Sequence, residues 1–367
     1  MKTRDVYLAR DETLPDSGLK YIKLDVSHPI SQLVIEMEAT TGATSCTDHE
    51  IHDDITSVEV IDGSDVLFSL NGKQMLGITA LTHKRLPPQV LTEAGGATQK
   101  ETFIIDFGRF LFDPEYALDP KRFTNPQLAL SYALTISATA GFATGTGKIT
   151  VVARCMEEGY GPIKGFLMTK AIYPFTATAN QEYTVDLPRD YPYRLLALQA
   201  LLDDNGISDC IDRLELSINN DAWVPYKLYA DELKYFQREW FGIVRQQKTV
   251  LRADDASFHT DIFEPEEVTI RTTEDDHIAT VEGIDSNKVS IGLYDLTTPG
   301  TPAFQTSAKS CVCNAEGYMV SGLVGLPFGD LNDPDDWLQA QKQDSIKLKF
   351  KALAAFSGDV IIQQLRS

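Results

Sequence analysis

The chain repeats a pattern of residues at a fixed distance along its sequence. The run 55–68, ITSVEVIDGSDVLF, aligns without a gap with the run 211–224, IDRLELSINNDAWV, at an offset of 156 residues. The outer positions of both runs are apolar. A glutamate and an aspartate are identical in the two runs, as Glu59 with Glu215 and Asp65 with Asp221. A single match of this length can arise by chance, so a duplication requires further blocks in the same order.

The flanking sequence supplies those further blocks on both sides. Upstream, His28-Pro29 and Tyr191-Pro192 each precede an apolar run. Downstream, both halves continue with a Phe-Gly pair, an Asp-Pro pair, an alternating segment and a final apolar segment. These are 107–108 with 328–329, 113–114 with 333–334, 127–136 with 345–354, and 148–154 with 359–365. The ordered series predicts two copies of one domain in a single chain.

Strand patterns dominate the sequence. Apolar and polar residues alternate in segments such as 128–134 and 346–350, and Gly, Pro and Asn-Asp turns separate the segments. Alternation with a period of two indicates strands that bury one face. Many short strands between turns are typical of a β-sandwich or barrel, so we predict an all-β fold.

Few helices are expected. Asp113-Pro114 and Asp333-Pro334 each place a helix-capping residue before a proline, which predicts a short helix beginning at each pair. Tyr229 to Val244 is a third helical candidate. The stretch 157–180 is rich in Gly and Pro, and we interpret it as the linker between the two copies.

The second half carries an insertion of about fifty residues that the first half lacks. Its composition, rich in Thr, Asp, Gly and Pro, is poor material for a core. The segments 267–273 and 288–296 nevertheless alternate like strands. A loop of this length in a compact domain is usually functional or carries structure of its own. We predict a protruding surface element in which these two segments pair as a small sheet.

Composition limits the partners of the molecule. The 367 residues include 33 Lys and Arg against 53 Asp and Glu, a net charge of −20 with a pI of 4.7. Two domains fit this length, and a surface of this charge repels nucleic acid and anionic membranes. The start of the chain differs, because Lys2, Arg4 and Arg10 face only Asp5 there. We favour a solvated, frayed terminus for this basic arm.

Targeting and redox signals are absent from the sequence. The start, MKTRDVYLARDE, lacks the apolar segment of a secretory signal. The densest apolar stretch, 195–202, is far shorter than the ~20 residues that span a bilayer. The five cysteines are odd in number and scattered, which disfavours a disulfide framework. Assembly in a reducing cytoplasm is the expectation.

The candidate phosphate-binding and metal-binding motifs in the sequence do not meet the residue and spacing requirements of such sites. Gly141–Lys148 approaches a phosphate-binding loop, but Phe142 and Ile149 stand where the motif requires Gly and Ser or Thr, so a hairpin is favoured. Asp48–Asp54 gathers metal-ligand residue types, but its histidines lack the usual zinc spacing, and a solvated loop is favoured. Cys311 and Cys313 have no second cysteine pair. We therefore predict no catalytic, cofactor-binding or metal site, and no enzyme activity.

The run 105–134 resembles the first jelly roll of the double jelly-roll major capsid proteins of tailless icosahedral viruses, the lineage of adenovirus and the membrane-containing phages. The second half supplies the second jelly roll in matching order. The resemblance implies two eight-stranded barrels side by side, over 1–165 and 166–367, each with a short helix between the sixth and seventh strands. Asp113–Phe123 and Asp333–Gln341 match those helices. The insertion, about 243–315, would form a tower on the outer surface of the second barrel.

The resemblance also implies a function and partners. Three chains would form a pseudo-hexameric capsomer in the virion, in contact with neighbouring capsomers and with penton and minor capsid proteins. The basic arm would face an internal membrane, and the body would not bind nucleic acid directly. Two alternatives remain open: a minor spike or vertex protein, and a carbohydrate-binding tandem β-sandwich. The last needs aromatic platforms, whereas we expect Trp223 and Trp337 to serve core or interface packing.

Overall fold

The first half of the chain folds into a barrel of two antiparallel four-stranded sheets. The computed structural model describes residues 1–202, 204–252, 256–273, 277–296, 303–304 and 307–367. The elements of the first half are β1 (Lys2–Thr13), β2 (Ser17–Lys23), β3 (Ile30–Cys46), α1 (Ile51–Asp54), β4 (Ile55–Asp62), β5 (Asp65–Leu70), α2 (Gly72–His83), β6 (Gln89–Thr92), β7 (Thr98–Asp106), β8 (Pro126–Ala133), β9 (Ala140–Phe142) and β10 (Lys148–Glu158). One sheet has the order β1-β10-β3-β7 and the other β2-β8-β4-β5.

The second half repeats this plan and adds the insertion. Its barrel begins with β11 (Phe166–Thr176), β12 (Glu182–Asp186), β13 (Tyr193–Leu201), α3 (Ile207–Cys210), β14 (Ile211–Ile218), β15 (Trp223–Tyr229) and α4 (Ala230–Phe241). The insertion follows as β16 (Val244–Arg252), β17 (Ala256–His259), β18 (Ile262–Thr272), β19 (His277–Asp285), β20 (Lys288–Asp295), β21 (Ala303–Phe304) and β22 (Lys309–Val320). The barrel ends with β23 (Leu323–Pro327), β24 (Ile346–Ala352) and β25 (Ser357–Arg366).

The strand orders of the two barrels are equivalent. The second barrel has sheets β11-β25-β13-β23 and β12-β24-β14-β15, which match the first barrel strand for strand. Each barrel is therefore an eight-stranded jelly roll, and the predicted double jelly roll is confirmed. The repeat at an offset of 156 residues corresponds to the hairpin β4-β5 in one barrel and β14-β15 in the other.

The helices differ from the prediction. The two 12-residue helices, α2 and α4, lie between the fifth and sixth strands of their barrels. Between the sixth and seventh strands the helical content is a single 3-10 turn, Pro120–Arg122 or Ala340–Lys342. The prediction that helices begin at Asp113 and Asp333 is wrong. The Asp113 carboxylate accepts hydrogen bonds from the backbone N–H of Glu115 and from the Arg109 side chain, which stabilises a turn instead.

Two other predicted boundaries also move. Residues 2–13 form β1, which pairs with β10 along its length, so the prediction of a frayed basic arm is wrong. Lys2 and Arg4 form ion pairs with Glu158 and Glu157. The predicted linker 157–180 lies mostly in strands, and only 159–165 connects β10 to β11. The predicted hairpin at 141–148 is wrong, because a turn after Phe142 connects β9 to β10 but each of these strands pairs with β3 and not with the other.

The insertion has a small core of its own. Its strands form the sheets β16-β22-β18 and β17-β20-β19, the second with β21 beside β20. The buried residues between them are Val250, Phe258, Val289, Ile291, Leu293, Cys311 and Cys313. The segments predicted to pair with each other lie in β18 and β20, which belong to different sheets, so that pairing is wrong. The insertion also extends to Val320, five residues beyond the predicted end.

The apolar core of the first barrel extends to residues of the second barrel and of the insertion, whereas the second barrel also has a core of its own. Residues of the second barrel, including Phe166, Leu195 and Ile361, pack in the same buried cluster as the strands of the first barrel. Short parallel pairings also join β5 to β11 and β6 to β16. The division at residue 165 falls in the connection between the barrels, and the assignment of 1–165 and 166–367 as two domains stays a prediction. Across the described ranges, no helix is long and apolar enough to cross a membrane.

Gly77 of α2 marks the closest contact between the first barrel and the second half of the chain. A Cβ at this position would lie 2.9 Å from Leu323 Cδ1 and 2.9 Å from the Val320 carbonyl oxygen. Alanine normally stabilises a helix relative to glycine by up to about 1 kcal/mol. We predict the opposite sign for Gly77→Ala, a loss of about 1–3 kcal/mol in the free energy of unfolding, because the core has no room for the methyl group.

The matched control is Gly161→Ala, since nothing lies within 4 Å of a Cβ there. Urea unfolding of both variants gives the comparison. Equal stability of the Gly77 and Gly161 variants would contradict the close contact.

Candidate functional site at the junction of the first barrel and the insertion

A buried cluster of charged side chains joins the first barrel to the insertion. It contains seven carboxylates and five basic side chains. They are Asp48, Glu50, Asp53, Asp54, Glu93, Glu101 and Asp261, with His49, His52, Lys73, Lys248 and Arg252. The prediction that Asp48–Asp54 is a solvated loop is wrong, because Glu50 is only 9% and His52 only 2% exposed.

Strand β16 supplies two cations to acceptors on the first barrel. Arg252 forms an ion pair with the fully buried Glu93 and a second with Asp48 at 2.6 Å. Lys248 forms an ion pair with Glu50 and lies 3.4 Å from Glu93. Burial alone would lower the pKa of Lys248, but the carboxylates of Glu50 and Glu93 raise it above its usual value. Lys248 therefore stays charged within the junction.

His52 bridges the two sides of the junction. Its Nδ1 lies 2.9 Å from Glu101 Oε2 of β7, and its Nε2 lies 3.0 Å from Asp261 Oδ1 of the insertion. Burial would lower the pKa of His52, but the charges of Asp261 and Glu101 raise it well above its usual value. An imidazole between two carboxylates carries both protons and donates to each, so it is no free general base.

A small cleft of about 170 Å³ opens beside this histidine. Glu50, His52 and Asp53 line it, and one ligand atom of each lies within 4.8 Å of the others. Asp261 and Ser321 contribute from the second half of the chain. Burial raises the pKa of Glu50 to about 7.

The cluster lacks the components of nucleophilic catalysis. Cys46 is the nearest thiol, and its Sγ donates to the His49 carbonyl oxygen at 3.3 Å. Burial raises the pKa of Cys46 to about 12, so the thiol stays protonated. All five cysteines are buried and unbridged. Among the residues with described positions, the arrangement supports holding two parts of the chain together rather than covalent chemistry.

The tryptophans have different environments. Trp337 is 2% exposed and donates from Nε1 to the Asp330 carbonyl oxygen at 2.9 Å, which confirms its predicted core role. Trp223 is 49% exposed on β15 and is not a core residue. Tyr229, at the other end of the same strand, is 50% exposed. Strand β15 is the last strand of its sheet, so these rings mark a free edge.

Sequence reasoning missed half of the cluster. Glu93 and Glu101 belong to the first barrel, and Lys248 and Arg252 come from β16 about 150 residues later. The one available signal is the period-two alternation along β16, which places Gln246, Lys248 and Arg252 on the same face, and in the structure that face points inward. Charged residues on an inward face predict buried partners, but the pattern does not identify them.

The chain is a double jelly-roll protein. It superposes on the STIV MCP, a major capsid protein, with a TM-score of 0.63 at 9% identity, covering 100% of this chain and 96% of that one. It superposes on the major capsid protein P2 of bacteriophage PM2 with a TM-score of 0.56 at 10% identity, covering 100% and 98%. A chain of Sulfolobus turreted icosahedral virus gives a TM-score of 0.61 at 10% identity, covering 100% and 90%.

These similarities establish the fold over the whole chain and confirm the resemblance found in the sequence. No protein-family model and no curated protein sequence matches the chain.

Two arginines of β16 test the strength of the junction. Replacing Arg252 with Met removes the nearer cation from the buried Glu93 and leaves Lys248, 3.4 Å away, which we expect to cost about 3–5 kcal/mol in the free energy of unfolding. Arg245 lies on the same strand, but its pair with Glu316 is exposed, so Arg245→Met should cost less than about 1 kcal/mol. Urea unfolding measures both. Equal losses would contradict a structural role for the buried pair.

Proposed function

We propose that this chain is the major capsid protein of an icosahedral virus and acts without a catalytic centre. The observation that carries the proposal is the pair of equivalent jelly rolls, which spans the whole chain and nearly the whole length of the two similar capsid proteins. Its place of action is then the virion. The acidic surface suits a shell that does not contact nucleic acid directly.

The joint between the two barrels suggests how chains assemble. Within the chain, the fifth strand of the first barrel, β5, lies beside the first strand of the second barrel, β11. The equivalent strands at the other ends of the molecule are β15 and β1, and both are terminal strands of their sheets. Their exposed rings are Trp223 and Tyr229 on β15 and Tyr7 on β1.

A contact of β15 with β1 of the next chain repeats the internal joint between chains. The contact joins different surfaces of the two partners, so successive chains form a closed ring when the rotation returns to the start. Three chains then supply six barrels around a pseudo-sixfold axis. Neighbouring capsomers, penton proteins and minor capsid proteins are the further partners of such a ring. Pairing also covers two free edges that otherwise promote aggregation.

Only the second barrel carries the insertion. In the ring, the insertion therefore occupies alternate corners. It contains six Lys and Arg against thirteen Asp and Glu over 244–320, which suits an exposed position on the outside of a shell. An internal membrane, where one exists, lies at the opposite end of the barrels. Lys2 and Arg4 are the basic residues at the start of β1, and both are ion-paired within the barrel.

The trimer has a direct test. Native mass spectrometry of the purified chain should give a trimer, and negative-stain images should have a hexagonal outline. Trp223→Lys places a cation on β15 opposite the basic start of β1 and should convert the trimer to monomer. Tyr235→Lys is the control, because Tyr235 is 77% exposed on α4, away from the strand edge. A monomeric or dimeric wild-type chain, or a trimeric Trp223 variant, would contradict the proposed ring contact.

The insertion has a separate test. Arg252 and Lys309 lie directly opposite each other in the β16-β22 ladder. Replacing residues 253–308 by Asn-Gly therefore closes the ladder with a two-residue hairpin turn. We expect the shortened chain to be less stable, because Asp261, Ile262 and Phe263 are lost, but still to fold and form the same trimer, because β16 still pairs with β6. The readouts are circular dichroism and native mass spectrometry. Loss of the second barrel's fold would show that the insertion belongs to its core.

A further inference from the structure

We propose that the cleft at the junction is a divalent transition-metal site with His52, Glu50, Asp53 and Asp261 as ligands. The inference is independent of the capsid function, because it rests on the geometry of the charged cluster alone. Three observations carry it: an excess of buried negative charge, the orientation of one imidazole, and an unpartnered hydroxyl in the wall of the cleft.

The cluster has more carboxylates than cations. Seven carboxylates face three permanent cations, which are Lys73, Lys248 and Arg252. Uncompensated charge is costly away from water. A divalent ion that displaces the Nε2 proton of His52 adds one net positive charge where the carboxylates converge.

His52 is oriented as a metal ligand. Its Nδ1 lies 2.9 Å from Glu101 Oε2, and a carboxylate in this position typically fixes the ring of a metal-binding histidine. Its Nε2 points at carboxylate oxygens, with Asp261 Oδ1 at 3.0 Å and Asp53 Oδ1 at 3.9 Å. Two ligands of a tetrahedral zinc ion, each about 2.0–2.1 Å from the metal, lie roughly 3.3 Å apart. The separation of His52 from Asp261 is close to such an edge, and the carboxylates of Asp53 and Glu50 must move closer to bind the same ion.

The wall of the cleft contains an unused polar group. Ser321 lines the cleft and is 2% exposed, and its Oγ has no hydrogen-bond partner. A buried hydroxyl without a partner is uncommon, and a water held in the cleft by the carboxylate ligands would provide one. Asp53 also pairs with Lys73, whose half-exposed side chain has room to move toward solvent.

One imidazole nitrogen and three carboxylates favour zinc or manganese over calcium, which prefers oxygen ligands alone. Binding replaces the Nε2 proton of His52, and that proton leaves to solvent. The metal then links α1 of the first barrel to Asp261 of the insertion. Glu101 acts as a positioning residue that orients the ring.

Zinc titration of the full-length chain, first freed of metal by a chelator, tests the site. We expect one Zn²⁺ per chain by calorimetry and elemental analysis. His52→Gln and Asp261→Asn should each weaken binding by at least about 100-fold, and Glu101→Gln by about 10- to 100-fold. His259→Gln is the matched control. His259 lines the same cleft, but its Nε2 lies 2.9 Å from Asp204, so binding should be unchanged.

A second measurement needs no variant, which matters if a buried substitution prevents folding. Co²⁺ added to the wild-type chain should give the intense visible bands of a tetrahedral ion, and Zn²⁺ should abolish them. An unchanged spectrum of hydrated Co²⁺ would overturn the proposal. Zinc binding that survives His52→Gln, or binding of Ca²⁺ in place of Zn²⁺, would overturn it as well.

Discussion

The architecture depends on an apolar core in the first barrel that residues from the second half of the chain complete. Helix α2 lies where the first barrel meets the end of the insertion, and Gly77 is the position at which the two approach too closely for any side chain. Strands of both barrels contribute to the same buried cluster. This packing fixes the barrels side by side, so the free edges β1 and β15 are held at opposite ends of one rigid unit. In the proposed ring, the packing between the two barrels of each chain would set the angle between successive barrels.

Much of this architecture is predictable from the sequence, because a duplication converts weak local patterns into strong ones. The hairpins at 55–68 and 211–224 are equivalent because both halves bury the same alternation. Helix α2 escapes prediction for a physical reason. Most of its residues are buried, so it has no polar face and no helical period, although Asn71 and Gln74 form a capping box that the sequence displays. The Asp113 carboxylate does accept a hydrogen bond from the backbone N–H of Glu115, as a capping residue would. The segment that follows is a turn and not a helix.

The charged junction is unpredictable for a different reason. Local sequence around His49 and His52 is typical of an exposed acidic loop, and only the partners from β16 and from Asp261 make burial tolerable. Those partners follow about 200 residues later, inside a segment that by composition suits a surface tower. Ion pairs between residues so far apart in the sequence produce no local pattern from which they could be predicted. The insertion therefore belongs to the second half by covalent order but contacts the first barrel as well as the second, an arrangement that only coordinates reveal.

That crossed arrangement has a consequence for synthesis on the ribosome. Glu93 emerges 159 residues before Arg252, the cation that neutralises it. At about 5–20 residues per second, the first barrel waits roughly 8–30 s with its acidic pocket and the edge of β6 open. Its final stability arrives only with the second half of the chain. A product truncated before Arg252 consequently leaves the buried Glu93 without this cation.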